Sequence, residues 1–131
     1  MRTIIGQSAI EFMIISGVVI FMFLTYTFFI QSQIADKAYE RRSLMTQELA
    51  YTIRDEVNIA LETSDGYSRT FKLANTILNV DYNATIYGDL IYVRTLDGKH
   101  AISVPIVNVT GQPKIGDNTI KKINGVIYLN S

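Results

Sequence analysis

The chain has 131 residues, with Lys+Arg and Asp+Glu at 12 each and no cysteine. Zero net charge and the lack of a basic run leave no electrostatic footprint for nucleic acid, so nucleic acid is not an expected partner. The missing cysteine excludes disulfides, thiolate metal sites and Cys nucleophiles.

The first element is apolar. After Arg2 and the short stretch to Gly6, the sequence Gly6-Gln7-Ser8-Ala9-Ile10-Glu11-Phe12 opens a run in which no charged side chain occurs from Phe12 to Ala35. The Phe12–Ile30 part, as a helix, covers about 28 Å of a roughly 30 Å hydrocarbon core. A cleaved secretory signal has a shorter apolar region, so this one reads as retained. Glu11 sits at its mouth, either marking the membrane interface or waiting for a specific partner, since a carboxylate in lipid is costly.

The helical pattern continues. No Pro or Gly interrupts residues 30–63, and Ala38, Met45, Leu49, Ile53, Val57 and Ala60 recur at spacings that make an apolar stripe, with Arg42 as the gap. A single helix from Ser8 to Glu62 would be roughly 80 Å long, with bending expected at Ser16-Gly17. Glu40, Arg41, Gln47, Arg54 and Asp55 form the opposite, solvated face.

Thr63-Ser64-Asp65-Gly66 is a stop signal. Beyond it the residues become β-branched or aromatic, punctuated by Gly88-Asp89, Asp97-Gly98 and Asn124-Gly125. Leu90–Thr95 with His100–Val104, and Thr119–Ile123 with Val126–Asn130, read as hairpins, and Ala84–Tyr87 adds a strand before the first. At least five antiparallel strands are expected, one sheet face packing on the stripe from Ala38 to Ala60. Pro105 predicts a break after Val104, with Gly111-Gln112-Pro113 and Gly116-Asp117-Asn118 as loops. The expected fold class is therefore α+β: an apolar helix over 7–35, its amphipathic continuation over 36–63, and an antiparallel β domain over 67–131.

Catalytic chemistry is nearly absent from the sequence. His100 is the only histidine and is expected as a solvated turn residue. Asp65, Asp81, Asp89, Asp97 and Asp117 stand singly in turns, without the alternation of a calcium loop. The eight Tyr and six Phe fit core positions, with Tyr87, Tyr92 and Tyr128 left as candidates for a contact face. No enzyme, metal or cofactor is expected.

The Gly6–Phe12 motif before an unbroken apolar helix resembles archaeal type IV pilin-like proteins with a class III signal peptide. The run from Pro105 to Asn130 is similar to the tail of such proteins, and the N-terminal motif is also similar to minor subunits of bacterial Tad-type pili. The resemblance implies a leader, residues 1–6, cut by a prepilin peptidase between Gly6 and Gln7. Ile5 precedes the cut where many members have Lys or Arg, and Ser8 follows Gln7 directly where the family serine comes one place later. Glu11 would then be the fifth residue of the mature chain, where this family pairs a glutamate with the terminal amine of a neighbouring subunit. Two buried opposite charges satisfy each other where either alone is costly.

The sequons Asn83-Ala84-Thr85 and Asn108-Val109-Thr110 make Asn83 and Asn108 candidate glycan acceptors on the outward part. The implied function is a structural subunit of a surface filament. Membrane lipid surrounds the helix before assembly; copies of the chain or other pilins surround it after. The alternatives are a permanently membrane-anchored binding or adhesion module, or a minor pseudopilin of a secretion-type system.

Overall fold

A computed structural model describes Arg2–Ser131, with side chains from Gly6 onward. The expectations for Met1 and for the side chains of Arg2 and Ile5 in the leader lie outside the described residues. One helix, α1 (Arg2–Glu62), is followed by seven strands: β1 (Ser68–Leu73), β2 (Tyr82–Tyr87), β3 (Leu90–Thr95), β4 (Ala101–Pro105), β5 (Val109–Gly111), β6 (Gly116–Ile123) and β7 (Val126–Leu129). The α+β class expected from the sequence is the one found. The chain divides into two compact units, Met1–Tyr39 and Glu40–Ser131.

The first unit is the apolar half of α1. Helical assignment continues through Ser16-Gly17 without a break. The segment is long and apolar enough to cross a membrane by length and composition. Its large side chains are exposed on every face, Phe12 at 71%, Phe21 at 71% and Phe28 at 77%. An all-round apolar helix needs an apolar surround, because a helix in water keeps a polar face.

The second unit packs the rest of α1 against the strands. Leu49, Ala50, Ile53, Val57 and Ala60 on the helix join Phe71, Leu73, Ile77, Ile91, Val93, Ile120, Ile127 and Leu129 in one core. The stripe starts later than its spacing predicts. Ala38 is exposed and Met45 is half-buried, while Thr46 is buried. Thr46 tolerates this because its hydroxyl donates back to the Arg42 carbonyl at 2.8 Å.

The single antiparallel sheet expected from the sequence is replaced by two. One has the order β1-β6-β7-β5 and the other β2-β3-β4. Both expected hairpins and the β2–β3 turn are present, with Asn124 and Gly125 at positive φ (52° and 77°) as a two-residue turn requires. The split follows from Pro105. It ends β4, and the chain leaves that sheet with the Ile106 N–H bonded to the Asp89 carbonyl, then adds β5 to β7 in parallel. The expected loop Gly116-Asp117-Asn118 opens β6 instead, paired with Leu73, Lys72 and Phe71. The turn is made by the buried Asn118 amide from within the strand (below). An additional turn at Leu78-Asn79, with φ of 47° and 62°, closes the Ile77–Val80 bridge, and no Gly or Pro marks it in the sequence.

Candidate functional site

The sequence-derived site residues fall into two groups, one on each unit. On the first unit, Gly6, Gln7 and Glu11 lie on the amino-terminal part of α1, all exposed. The i, i+4 spacing puts Gln7 one turn below Glu11, and the Gln7 Nε2 donates to Glu11 Oε1 at 3.4 Å. At Gly6 a Cβ would meet no heavy atom within 4 Å.

Above this motif three hydroxyls of the apolar half bond to their own helix. Thr25 donates to the Phe21 carbonyl at 2.8 Å, Thr27 to Phe23 at 2.9 Å and Ser32 to Phe29 at 2.8 Å. Hydroxyls satisfied within the segment can enter an apolar medium without the cost of an unpaired donor. Glu11 is the one charged side chain between Gly6 and Ala35, and its carboxylate has only a weak local partner.

On the second unit, Asn83 is exposed on β2 opposite Arg94, and its sequon hydroxyl, Thr85, is half-buried on the same strand. Asn108 is exposed in the segment between β4 and β5, with Thr110 exposed on β5. Tyr87 is exposed at the β2–β3 turn. Tyr92 and Tyr128 are half-buried on different sheets, so the three do not share a sheet face.

His100 corrects the expectation of a solvated turn residue, for it is 6% exposed. Thr95 and His100 close the β3–β4 turn with Thr95 N–H to the His100 carbonyl at 2.9 Å and His100 N–H to Thr95 Oγ1 at 3.1 Å, a clamp that turns the imidazole inward. Among the described residues no group of three or more His, Asp or Glu could hold a metal ion.

Sequence reasoning passed over the polar groups that organise the second unit. Arg42, the gap in the stripe, forms an ion pair with Asp97 in the β3–β4 turn. Glu56, 9% exposed on α1, faces Arg69 of β1 at 3.5 Å. Asn118, fully buried, accepts from the Lys114 N–H at 2.7 Å and Asn130 Nδ2 at 2.8 Å, and donates to the carbonyls of Lys114 and Gly116. Gln112 extends this network across the two sheets, its side chain accepting from the Ile86 N–H at 2.8 Å and donating to the Ile86 carbonyl at 2.9 Å. A period-based reading had no signal for these partners, which lie far apart in sequence.

One cleft of about 170 Å³ lies beside α1, lined by Met45, Leu49, Thr52, Leu73 and Ile77 with Glu48 and Lys72 also on its wall. It is mostly apolar and holds no cluster of groups suited to catalysis. The chain matches no protein-family model, no curated protein and no solved structure.

Proposed function

We propose that the protein is a structural subunit of an archaeal type IV pilus-like surface filament, held in a membrane by its N-terminal helix before assembly. The observation that carries this reading is the apolar half of α1, exposed on all faces, with the Thr25, Thr27 and Ser32 hydroxyls bonded within the helix and a single carboxylate, Glu11, at its mouth. In lipid that surface is covered by acyl chains; in a filament it is covered by the same helix of other copies or of other pilins. A prepilin peptidase removes residues 1–6, and Glu11 then meets the amino terminus of a neighbouring subunit, fixing register where an unpaired charge would be costly. The β unit faces outward, with Asn83 and Asn108 as glycan acceptors.

Glu11→Gln tests the reading. Filaments sheared from cells expressing this variant should contain less than about a tenth of the wild-type amount of the subunit, a loss of at least 1.4 kcal/mol of assembly free energy, while the membrane fraction retains the protein. Normal incorporation sinks the filament mechanism.

A second reading is a permanent membrane anchor carrying a binding module, and the cleft beside Leu49 and Leu73 is the observation that favours it. That reading expects Glu11→Gln to change nothing and Thr52→Trp, at the half-buried wall of the cleft, to abolish surface attachment.

A further inference from the structure

We propose that the chain carries both halves of a head-to-tail contact between copies of itself: the apolar tip of the β6–β7 hairpin on one copy seats in the cleft beside α1 on the next. The proposal rests on the filament reading put forward above and deepens it by giving the cleft an occupant and the β units a contact of their own.

The tip is made by Ile123 and Val126, which face each other across the Asn124-Gly125 turn and are 50% and 42% exposed. Alternation along β6 puts Ile123 on the same outward face as Lys121, whereas Asn118 and Ile120 are buried on the other. The hairpin is tied at its base, because Lys122 Nζ donates to the Leu61 and Thr63 carbonyls, and at its turn, because Asp65 accepts the Gly125 N–H at 2.8 Å. Two large apolar side chains are thus held in a fixed projection, with little freedom left to lose on docking.

The cleft is its counterpart. Met45, Leu49, Leu73 and Ile77 give it an apolar lining around about 170 Å³, with Glu48 on the helix wall and Lys72 on the strand wall. An apolar cavity of about 150 Å³ takes a benzene-sized group, so an isoleucine side chain fits within this one. The charges match in one orientation. Seating the tip with Lys121 toward Glu48 and Asp65 toward Lys72 pairs opposite signs, and the reversed seating opposes like ones. Among the described residues, none of these four side chains has an ion-pair partner in its own chain. The tip and the cleft lie at opposite ends of the β1–β6 ladder, whose six pairs run from Leu73–Gly116 at the cleft to Ser68–Lys121 near the tip, about 20 Å of strand. A copy cannot fill its own cleft. Two copies joined this way leave one tip and one cleft free, so the contact is heterologous, and each addition presents the next site as an open filament requires.

The test is thiol cross-linking, which the chain suits because it has no cysteine of its own. Ile123→Cys at the tip and Ala74→Cys on an exposed part of the cleft wall are placed together in the full chain. Filaments sheared from cells are then treated with a short bis-maleimide. The expected result is a ladder of dimers, trimers and higher species, with either substitution alone giving monomer. Ile123→Asp, a change at an exposed position, should lower the subunit's amount in sheared filaments at least about tenfold, because a carboxylate would have to enter the apolar cleft, while the amount in the membrane fraction stays the same. Filaments that contain the double-cysteine chain but yield only monomer overturn the contact and leave the filament reading in place, as does normal incorporation of Ile123→Asp. Dimers from Ile123→Cys alone overturn it as well, because tip would then meet tip. Absence of the wild-type chain from sheared filaments, with no ladder from the double-cysteine chain in membranes, overturns both.

Discussion

Arg42 on α1 and Asp97 in the β3–β4 turn meet at 3.7 Å, each side chain about three-quarters covered. The contact ties the helix to the three-stranded sheet at the residue that interrupts the apolar stripe. Asp97 is also held by the Thr95 hydroxyl at 2.6 Å and the Lys99 N–H at 3.1 Å. The Thr95 hydrogen bond, then that of Lys99, holds the carboxyl below its ordinary range. The Lys99 and Arg42 charges add smaller pulls in the same direction.

The pH consequence follows from that direction. A carboxyl whose folded value is depressed contributes stability above its unfolded value of about 3.9 and loses it as pH falls through the lower folded value. Asp97→Asn should therefore melt lower than wild type at pH 7, with the gap narrowing below about pH 4. Thermal scans by circular dichroism of the full chain in detergent measure this. A gap that stays constant down to the acid limit would mean that the charge is not what matters.

Lys122 supplies a helix cap from a distant strand. Its Nζ donates to the carbonyls of Leu61 and Thr63 at 2.7 Å each, and its own carbonyl accepts from the Gly66 N–H at 2.9 Å. The last turn of α1 has no basic residue of its own, so these terminal carbonyls depend on β6. Lys122→Met keeps the stem and removes the charge, and should cost about 1–2 kcal/mol in urea unfolding. An unchanged midpoint would assign those carbonyls to solvent.

Asn118 is the polar centre of the β6 entry. Alanine there leaves the Lys114 N–H, the Lys114 and Gly116 carbonyls and one Asn130 donor without the partner that the fully buried Asn118 side chain supplies. Asn118→Ala should destabilise by about 3 kcal/mol, well beyond a surface substitution. Equilibrium unfolding should show a lowered midpoint with little change in slope, and a loss under about 1 kcal/mol would indicate that water replaces the amide.

Gly111 and Gly88 separate two reasons for glycine. Both have positive φ, 113° and 61°. A Cβ at Gly111 would overlap the Leu129 carbonyl of the paired strand, whereas at Gly88 it meets nothing within 4 Å. Gly88→Ala should cost about 1 kcal/mol from backbone strain alone, and Gly111→Ala about 3 kcal/mol or more because β5 must also move off β7. Equal losses in thermal melts of the two variants would show that β5 moves without cost.

Much of the molecule is written in local pattern. The uncharged run from Phe12, the spacing of Leu49, Ile53, Val57 and Ala60, the stop at Thr63–Gly66 and the Asn124-Gly125 turn each depend on neighbours a few residues away. Helical and strand periods are local properties, so the long helix, its end and the hairpins are legible before any folding is known. The Gly6–Glu11 motif is legible for the same reason, because helical spacing alone brings Gln7 against Glu11.

Only the tertiary structure decided how the strands divide into two sheets, why Arg42 can stand in the stripe, that His100 is buried, and that Asn118 belongs to a strand. Three of these depend on a partner remote in sequence: β7 for β5, Asp97 for Arg42 and Phe71 for Asn118. A buried polar residue and an exposed one have the same letter, and their difference is whether folding brings a donor or acceptor to meet them.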